Sequence, residues 1–257
     1  MNILSIGDIV GNNGCEFLRS RLPKLKKEKS IDLVIANGEN SADGNGITKS
    51  SAEYLFKSGV DVITTGNHAF RRREVYPVFE NDNNLIRPAN FPESTTPGKG
   101  YSIIDMGRTQ ICVINLMGVV YMESLNCPFS TADYIINKFK DIPIKIVDFH
   151  AEATAEKRAL GFYLDGKISA LFGTHTHVPT ADETILPNGT GYITDVGMTG
   201  TINSVLGISP NSAIKKMKEK IPVKFEFLNG PQKMDTILFN INENSGKTVN
   251  IKRLTIT

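Results

Sequence analysis

The chain has 257 residues, and 40% of them are apolar, which is enough for a sizeable hydrophobic core without cross-links. Its 29 basic and 27 acidic residues leave a formal charge of +2, so there is no general electrostatic attraction to nucleic acid or to an anionic membrane. Three widely spaced cysteines do not indicate a disulfide framework, and the sequence predicts neither a signal peptide nor a transmembrane helix. We therefore expect a cytoplasmic protein with no membrane association and no stable nucleic-acid partner.

Short apolar runs alternate with amphipathic segments in the first quarter of the chain. The predicted elements are a strand at 3–6, a helix ending near 29, a strand at 32–36, a helix at 49–58 and a strand at 60–64. Asn12 or Asn13 is expected to cap the first helix. This order of βα units is typical of a mostly parallel sheet covered by helices.

The rest of the chain repeats this pattern less regularly. The predicted elements are a hairpin at 101–106 and 110–116, a strand at 143–149, a helix at 151–162, a strand at 168–172, a helix at 211–220, and strands and turns over 223–257. No internal repeat, low-complexity tract or linker divides the sequence. We therefore expect a single domain over residues 1–257, built on two sheets.

Polar side chains follow five of the predicted strands at the points where these strands end. They are Asp8, Glu39 with Asn40, Asn67 with His68, His150, and His175 with His177. In open α/β sheets, ligands bind beyond the carboxyl ends of the strands, so these side chains are expected to meet in one crevice. The chain has only four histidines, and all four belong to this set.

The chemistry of this set favours a metal centre. Carboxylates, amide oxygens and imidazoles without sulfur suit iron, manganese, zinc or cobalt at catalytic sites. There are enough ligands for two ions if one carboxylate bridges them. Two ions about 3.5–4 Å apart can stabilise both the attacking and the leaving oxygen of an in-line displacement. The pattern therefore indicates a two-metal phosphoesterase.

Each member of the set also has a structural interpretation. Asp8 alone is more often a turn residue than a ligand, and His150 alone is more often a core histidine with its hydrogen bonds made. The pair His175 and His177 is stronger evidence, because two side chains two residues apart at a strand end face the same side. The combination of all five strand ends is far more specific than any one of them.

Two further motifs carry weaker indications. Gly7, Gly11 and Gly14 follow a strand and open a helix, but their spacing is not that of a dinucleotide-binding or P-loop motif. The run Arg71–Arg73 follows His68 closely and could attract phosphate, although such runs are more often the solvated start of a helix.

At this point the motifs resemble those of the calcineurin-like metallophosphoesterases, and more closely the YmdB-type branch of bacterial 2′,3′-cyclic nucleotide 2′-phosphodiesterases. The matching segments are I-G-D-I-V-G (6–11), N-G-E-N (37–40), T-G-N-H (65–68), D-F-H-A-E-A-T (148–154) and G-T-H-T-H-V-P-T (173–180). Two departures from the broad superfamily fit this branch: Val10 replaces the histidine of the usual Asp-x-His motif, and Glu39 replaces an aspartate. The resemblance implies an α/β fold, a four-layer αββα sandwich.

The resemblance also implies a role for each residue. Metal 1 would take Asp8, Glu39, Asn40 and His177, and metal 2 would take Glu39, Asn67, His150 and His175, with Glu39 bridging. The ions would be iron, with manganese or zinc as alternatives. A metal-bridging hydroxide would open a 2′,3′-cyclic nucleoside monophosphate, and His68 would protonate the 2′ oxygen as general acid to leave a 3′-nucleotide.

Several alternatives stay open at this stage. The same site would suit a broader phosphomonoesterase or phosphodiesterase, and it would also suit a regulatory protein that binds a nucleotide with little turnover. Base preference is expected to depend on loops such as 41–48 and 187–201. The family leaves a homo-oligomer open, and the sequence does not decide it.

Overall fold

The computed structural model describes residues 1–43 and 45–257, which form thirteen β-strands and six α-helices. The strands are β1 (Asn2–Ile6), β2 (Asp8–Ile9), β3 (Leu33–Asn37), β4 (Val62–Thr64), β5 (Tyr101–Asp105), β6 (Gln110–Met117), β7 (Ile144–His150), β8 (Ala170–Thr174), β9 (Thr184–Ile185), β10 (Gly191–Ile193), β11 (Met198–Thr201), β12 (Gln232–Ile241) and β13 (Thr248–Ile256). The helices are α1 (Gly11–Glu28), α2 (Lys49–Lys57), α3 (Tyr76–Asn81), α4 (Pro128–Lys138), α5 (Thr154–Tyr163) and α6 (Pro210–Glu219).

Seven strands form the first sheet, in the order β2-β11-β12-β1-β3-β4, with β13 paired to β12. The strands β1, β3 and β4 are parallel neighbours, and the helices α1 and α2 connect them. Every residue of β3 and β4 is buried, as expected for parallel strands that are covered on both faces. The predicted βα units are confirmed, with element ends that shift by one or two residues.

Six strands form the second sheet, in the order β5-β6-β7-β8-β10-β9. The predicted hairpin is present as the antiparallel pair β5 and β6, which closes between Asp105 and Gln110. The strands β6, β7, β8 and β10 are parallel, so their carboxyl ends lie at the same edge of the sheet.

Three apolar clusters separate four layers. One cluster packs α1 and α2 against the outer face of the first sheet, for example through Leu18 and Leu55. A second lies between the two sheets and includes Ile35 and Phe172. The third packs α4 and α5 against the outer face of the second sheet and includes Leu160. This order of layers confirms the expected four-layer αββα sandwich.

The start of the first helix differs from the prediction. The residue before α1 is Val10, which is extended and whose N–H donates to the carbonyl of Thr199, so the chain passes directly from strand pairing into the helix. Asn12 and Asn13 lie inside the first turn, and their side chains donate outward to Asp43 and to the carbonyl of Leu228. The prediction that an asparagine caps this helix is therefore wrong.

The structure adds elements that the sequence pattern did not predict, namely α3, α4 and the short strands β2, β9, β10 and β11. Within the described residues, no helix has the length and apolar character that a bilayer crossing requires. Cys15 and Cys112 are buried free thiols, and Cys127 is exposed.

Candidate metal centre

The eight predicted site residues lie together, where the carboxyl edges of the two sheets meet. The first sheet supplies Asp8 at the start of β2, the pair Glu39 and Asn40 after β3, and the pair Asn67 and His68 after β4. The second sheet supplies His150 as the last residue of β7, and His175 and His177 from the loop after β8. The site is therefore built from the edges of two sheets, and not from the edge of a single sheet.

One group of contacts is centred on the ring of His150. Its Nε2 atom lies 2.9 Å from Asn67 Oδ1, 3.0 Å from His175 Nδ1 and 3.1 Å from Glu39 Oε1. Glu39, His150 and His175 also have the mutual spacing of a group that could hold a metal ion. Three atoms with lone pairs thus converge on the imidazole nitrogen, and a cation is the species that would stabilise this arrangement.

A second group lies beside the first and contains Asp8, Asn40 and His177. His177 Nε2 lies 3.6 Å from Asp8 Oδ1 and 3.3 Å from the Asn40 amide nitrogen. Asp8 Oδ2 accepts from the backbone N–H of His175 at 3.0 Å. Asp8 Oδ1 is buried and has no hydrogen-bond partner among residues 1–43 and 45–257. A buried carboxylate oxygen without a partner is costly, so it marks a place that suits a cation.

Glu39 lies between the two groups. Its Oε1 contacts His150 in one group and, at 3.3 Å, the amide nitrogen of Asn40 in the other. Its Oε2 accepts from the backbone N–H of His68 at 3.0 Å. The carboxylate is fully buried and contacts both groups, which is the geometry that a bridging ligand needs.

The three histidines of the two groups share one arrangement: the nitrogen facing away from the cluster meets a hydrogen-bond acceptor. His177 Nδ1 donates to the carbonyl of Leu206 at 3.1 Å, and His175 Nε2 lies 3.1 Å from the Glu152 carboxylate. His150 Nδ1 lies 2.9 Å from Thr174 Oγ1, which in turn donates to Asp148. Each outer partner fixes the ring and leaves the inner nitrogen as the lone-pair donor, as in carboxylate–histidine–metal triads.

The charges of the cluster depend on one another. Burial lowers the pKa of His150, but the carboxylates of Glu39 and Asp8 outweigh it and raise that pKa to about 9. Burial and the neighbouring His150 lower the pKa of His175 to about 4. The pKa values of Glu39 and Asp8 are both lowered, because the attraction of the facing histidines exceeds the cost of burial. The carboxylates of Glu39 and Asp8 and the ring of His150 therefore stabilise one another's charged forms.

The loop that carries His175 and His177 is strained and held by a buried ion pair. The backbone φ angles of His175 and His177 are 102° and 63°, values that residues other than glycine rarely adopt. Lys157 Nζ donates to the carbonyl of Thr174 at 2.8 Å and to Asp195 Oδ2 at 2.7 Å. The same Asp195 oxygen accepts from the N–H of Thr176 at 3.2 Å. The ion pair therefore fixes the backbone on both sides of His175.

A glycine is required where β4 approaches the cluster. A Cβ atom added at Gly66 would overlap the ring of His150. The absence of a side chain at this position lets the imidazole reach Asn67 and Glu39.

His68 differs from the other three histidines. Its Nδ1 atom lies 2.9 Å from Asn40 Oδ1 and 3.4 Å from Glu39 Oε1. Its Nε2 has no hydrogen bond within the described part of the chain, and the side chain lines a cavity of about 400 Å³ beside the cluster. His68 therefore stands at the edge of the two groups, with one ring nitrogen available to a molecule in the cavity.

The donor set fits the group that the sequence predicts. Nitrogen and oxygen atoms converge in two adjacent clusters, sulfur is absent from both, and one carboxylate oxygen lacks a partner within the described residues. The matching sequence segments and the fold point to the same origin. A family model described as YmdB-like protein matches residues 4–254. The chain belongs to the YmdB-like family.

The relatives and solved structures that the chain resembles over its whole length agree with this assignment. The chain is 44% identical over 257 residues to the 2′,3′-cyclic-nucleotide 2′-phosphodiesterase of Bacillus subtilis (strain 168), with 100% of this chain and 97% of that protein aligned. A crystal structure of a hypothetical protein from Thermus thermophilus covers 100% of this chain and 99% of its own, with a TM-score of 0.94 and 38% identity. The crystal structure of a phosphatase from Mycoplasma pneumoniae aligns with 100% of this chain and 93% of its own chain, with a TM-score of 0.94 and 33% identity.

More distant structures share only the fold. Haemophilus influenzae NAD nucleotidase has a TM-score of 0.60 and 15% identity, and covers 99% of this chain and 55% of its own. The YmdB-like family is of the metallophosphoesterase type, which implies divalent metal ions, and the cluster of Glu39, His150 and His175 fits a metal site.

Several residues that shape the site were not assigned a role from the sequence. They are Thr174, Asp148, Glu152, Lys157 and Asp195. Asp148, Glu152 and Thr174 fall inside matching segments, which was the available signal. Lys157 lies on α5 and Asp195 in the loop between β10 and β11, and the sequence does not show that they meet. Of the arginine run, Arg72 donates to the carbonyls of Asp43 and Asn45, so it supports a loop and does not face the cluster.

Proposed function

We propose that this chain is a two-metal phosphodiesterase that opens 2′,3′-cyclic nucleoside monophosphates to 3′-nucleotides. The observation that carries the proposal is the shared arrangement of three histidines, each with its outer nitrogen on an acceptor and its inner nitrogen directed at a cluster that Glu39 joins. The class of phosphoric diester hydrolase follows from family membership and from the named activity of the 44% identical relative.

The ligand sets follow the two groups of contacts. Asp8, Asn40 and His177 would hold one ion, and Asn67, His150 and His175 would hold the other, with Glu39 shared. Ions bound there would neutralise charge on the phosphoryl oxygens and lower the pKa of an attacking water. Because the ligands come from both sheets and from residues 8 to 177, we treat residues 1–257 as one functional domain.

The Asn40 amide supports a specific role for His68. The amide nitrogen faces Glu39 and His177, and the oxygen faces His68 Nδ1. The Asn40 oxygen has two lone pairs, so it could bind an ion and still accept from the Nδ1–H of His68. With Nδ1–H held by this oxygen, Nε2 would carry the proton that His68 transfers, and it is free to meet a molecule in the cavity. A general acid at that position donates its proton to the leaving sugar oxygen, a step typically worth about 10²–10⁴-fold in rate.

We assign the P–O bond that breaks from the activity named for the relative in Bacillus subtilis. The Bacillus subtilis protein is a 2′-phosphodiesterase, so the P–O2′ bond breaks and phosphate stays on O3′. His68 then protonates O2′, and the attacking water supplies the new oxygen on phosphorus. The attacking water releases one proton as its oxygen bonds to phosphorus, and this replaces the proton that His68 gives to O2′, so one water is the only co-reactant.

Product analysis tests this proposal. The holoprotein is incubated with 2′,3′-cyclic AMP, 3′,5′-cyclic AMP and 3′-AMP, and products are separated by chromatography against 2′-AMP and 3′-AMP standards. We expect 3′-AMP from the first substrate and much slower reaction of the other two. Mainly 2′-AMP would overturn the assignment of the broken bond. Equal rates on all three would favour a broad phosphoesterase, and tight binding without turnover would favour a regulatory protein.

A further inference from the structure

The cavity beside the cluster has two walls of unlike chemistry. Its polar wall contains Glu39, Asn40, His68, His175 and His177. The apolar side chains that line it, called the apolar wall below, are Val10, Leu206, Ile208, Phe225 and Phe227. The cavity volume of about 400 Å³ is within the usual range for small-molecule sites. A molecule with one anionic end and one flat apolar end matches this division.

The apolar wall is tied directly to the polar one. The carbonyl of Leu206 accepts the hydrogen bond from His177 Nδ1, and Val205 and Ile208 exchange backbone hydrogen bonds across a tight turn. Gly207 in this turn has a φ of 94°, and an added Cβ there would overlap Val10. Val10 thus supports the turn at the position where the broad superfamily has a histidine.

The same turn also pairs with the segment that contains Phe225 and Phe227. Ile208 forms an antiparallel bridge with Phe227, and the N–H of Ser209 donates to the carbonyl of Glu226 at 2.8 Å. Backbone hydrogen bonds therefore connect the segment of Phe225 and Phe227 to the turn that contacts His177. The wall is part of the same structure that positions a predicted ligand.

The aromatic wall leaves apolar surface uncovered. Leu206 is 41% exposed, Phe225 is 44% exposed and Phe227 is 36% exposed. Single exposed apolar residues are ordinary, but several that line one cavity next to a polar cluster indicate a ligand surface. Aromatic rings next to a phosphate-binding site are well suited to stack on a flat heterocycle.

We propose that the wall formed by Val10, Leu206, Ile208, Phe225 and Phe227 is the nucleobase subsite. The rings of Phe225 and Phe227 stack on the base while the phosphate lies at the polar wall. The proposal deepens the proposed function and rests on it. Because stacking uses the π face that every base has, the subsite accepts all four bases and favours purines for their larger area.

The sharpest test compares substrates with and without a base. The pair is 2′,3′-cyclic AMP and methyl ribofuranoside 2′,3′-cyclic phosphate, which lacks the base. In the holoenzyme, Phe225→Ala and Phe227→Ala should each lower kcat/KM for the nucleotide by about 5- to 150-fold, from the usual energy of base–aromatic stacking. They should change kcat/KM for the abasic substrate less than about twofold. Phe227→Tyr, which keeps the ring, should retain most of the activity on the nucleotide.

Phe162→Ala is the matched control, because Phe162 is 52% exposed on α5 and does not line the cavity. It should leave both substrates unchanged. Equal loss on both substrates in the Phe225 and Phe227 variants, or no loss on either, would overturn the subsite.

A binding measurement separates this proposal from the proposed function. Calorimetry with the metal-loaded protein compares 3′-AMP with ribose 3-phosphate, and neither requires turnover. Wild type should bind 3′-AMP more tightly, and the double variant Phe225→Ala/Phe227→Ala should lose that preference. If cyclic nucleotides are not cleaved but the preference is present and lost in the variant, the proposed function fails and the base subsite stands. If cleavage occurs but wild type shows no preference, the subsite fails alone.

Discussion

The buried ion pair of Lys157 and Asp195 gives the most demanding prediction. Lys157 is fully buried on α5, and Asp195, which is also buried, accepts its hydrogen bond at 2.7 Å. In the variant Lys157→Met, the carboxylate stays buried and loses its cation. Breaking a buried pair in this way costs about 3–5 kcal/mol of unfolding free energy, because the remaining charge is uncompensated.

The same substitution should also weaken metal binding. Lys157 holds the carbonyl of Thr174, and Asp195 holds the N–H of Thr176, so the strained loop with His175 and His177 loses one of its fixed points. Residues that orient metal ligands typically contribute about 10–100-fold in metal affinity. We expect a loss of that size for manganese binding measured by calorimetry.

A second variant separates the two effects. In Lys157→Met/Asp195→Asn the buried charge is gone, so much of the unfolding free energy should return while metal affinity stays low. Chemical denaturation gives the first quantity and calorimetry the second, and Lys218→Met, an exposed lysine of α6, is the control. If Lys157→Met changed the unfolding free energy by less than about 1 kcal/mol and left metal affinity intact, the assigned role of the pair would be wrong.

Three further predictions concern single residues. His68→Ala should keep its metal content but lose about 10²–10⁴-fold in kcat on 2′,3′-cyclic AMP; loss of metal in this variant would show that His68 is a ligand. Gly66→Ala should lower metal content per chain, measured by elemental analysis, because the new methyl group displaces the ring of His150; unchanged content would contradict the overlap. Backbone and side-chain hydrogen bonds from Ser130 lower the pKa of Cys127, and burial raises the pKa of each buried cysteine to about 12. Since only the thiolate reacts, iodoacetamide at about pH 8 should modify Cys127 alone in the native protein and all three thiols after unfolding, as mass spectrometry would show.

Much of the fold follows from apolar periodicity. The runs 33–37 and 144–150 are short and rich in β-branched residues, as is typical of a strand covered on both faces, and every residue in them is buried. The helix at 49–57 has a regular stripe of buried residues. The missed elements lack such a signal. The strand β11 reads Met-Thr-Gly-Thr and becomes a strand through its pairing with β2 and β12, and α4 buries little more than Ala132 and Ile135. Pairing between strands that are far apart in the chain cannot be predicted from the local sequence.

The candidate site divides in the same way. The residues that meet at the cluster were predictable, because five strand ends carry metal-capable side chains and all four histidines fall there. The residues that hold them were not, since Lys157 and Asp195 meet across 38 positions of sequence. The expectation that the loops 41–48 and 187–201 set base preference stays a prediction. Asn45 of the first loop lines the cavity and residues 187–201 do not, whereas Leu206, Ile208, Phe225 and Phe227 of a later segment do. Gly44, in the first of these loops, lies outside the described residues.

The proposed function depends on a two-ion centre joined by Glu39, and the metal content of the chain tests whether that centre exists. Wild type and Glu39→Gln, which keeps the side-chain size but removes the charge, are reconstituted in parallel with iron, manganese and zinc and assayed for ions per chain and for cleavage of 2′,3′-cyclic AMP. We predict two ions and cleavage in the wild type, and fewer than two ions with cleavage lost in the variant. One ion or none in the wild type, or two ions retained in Glu39→Gln, would contradict the bridged centre.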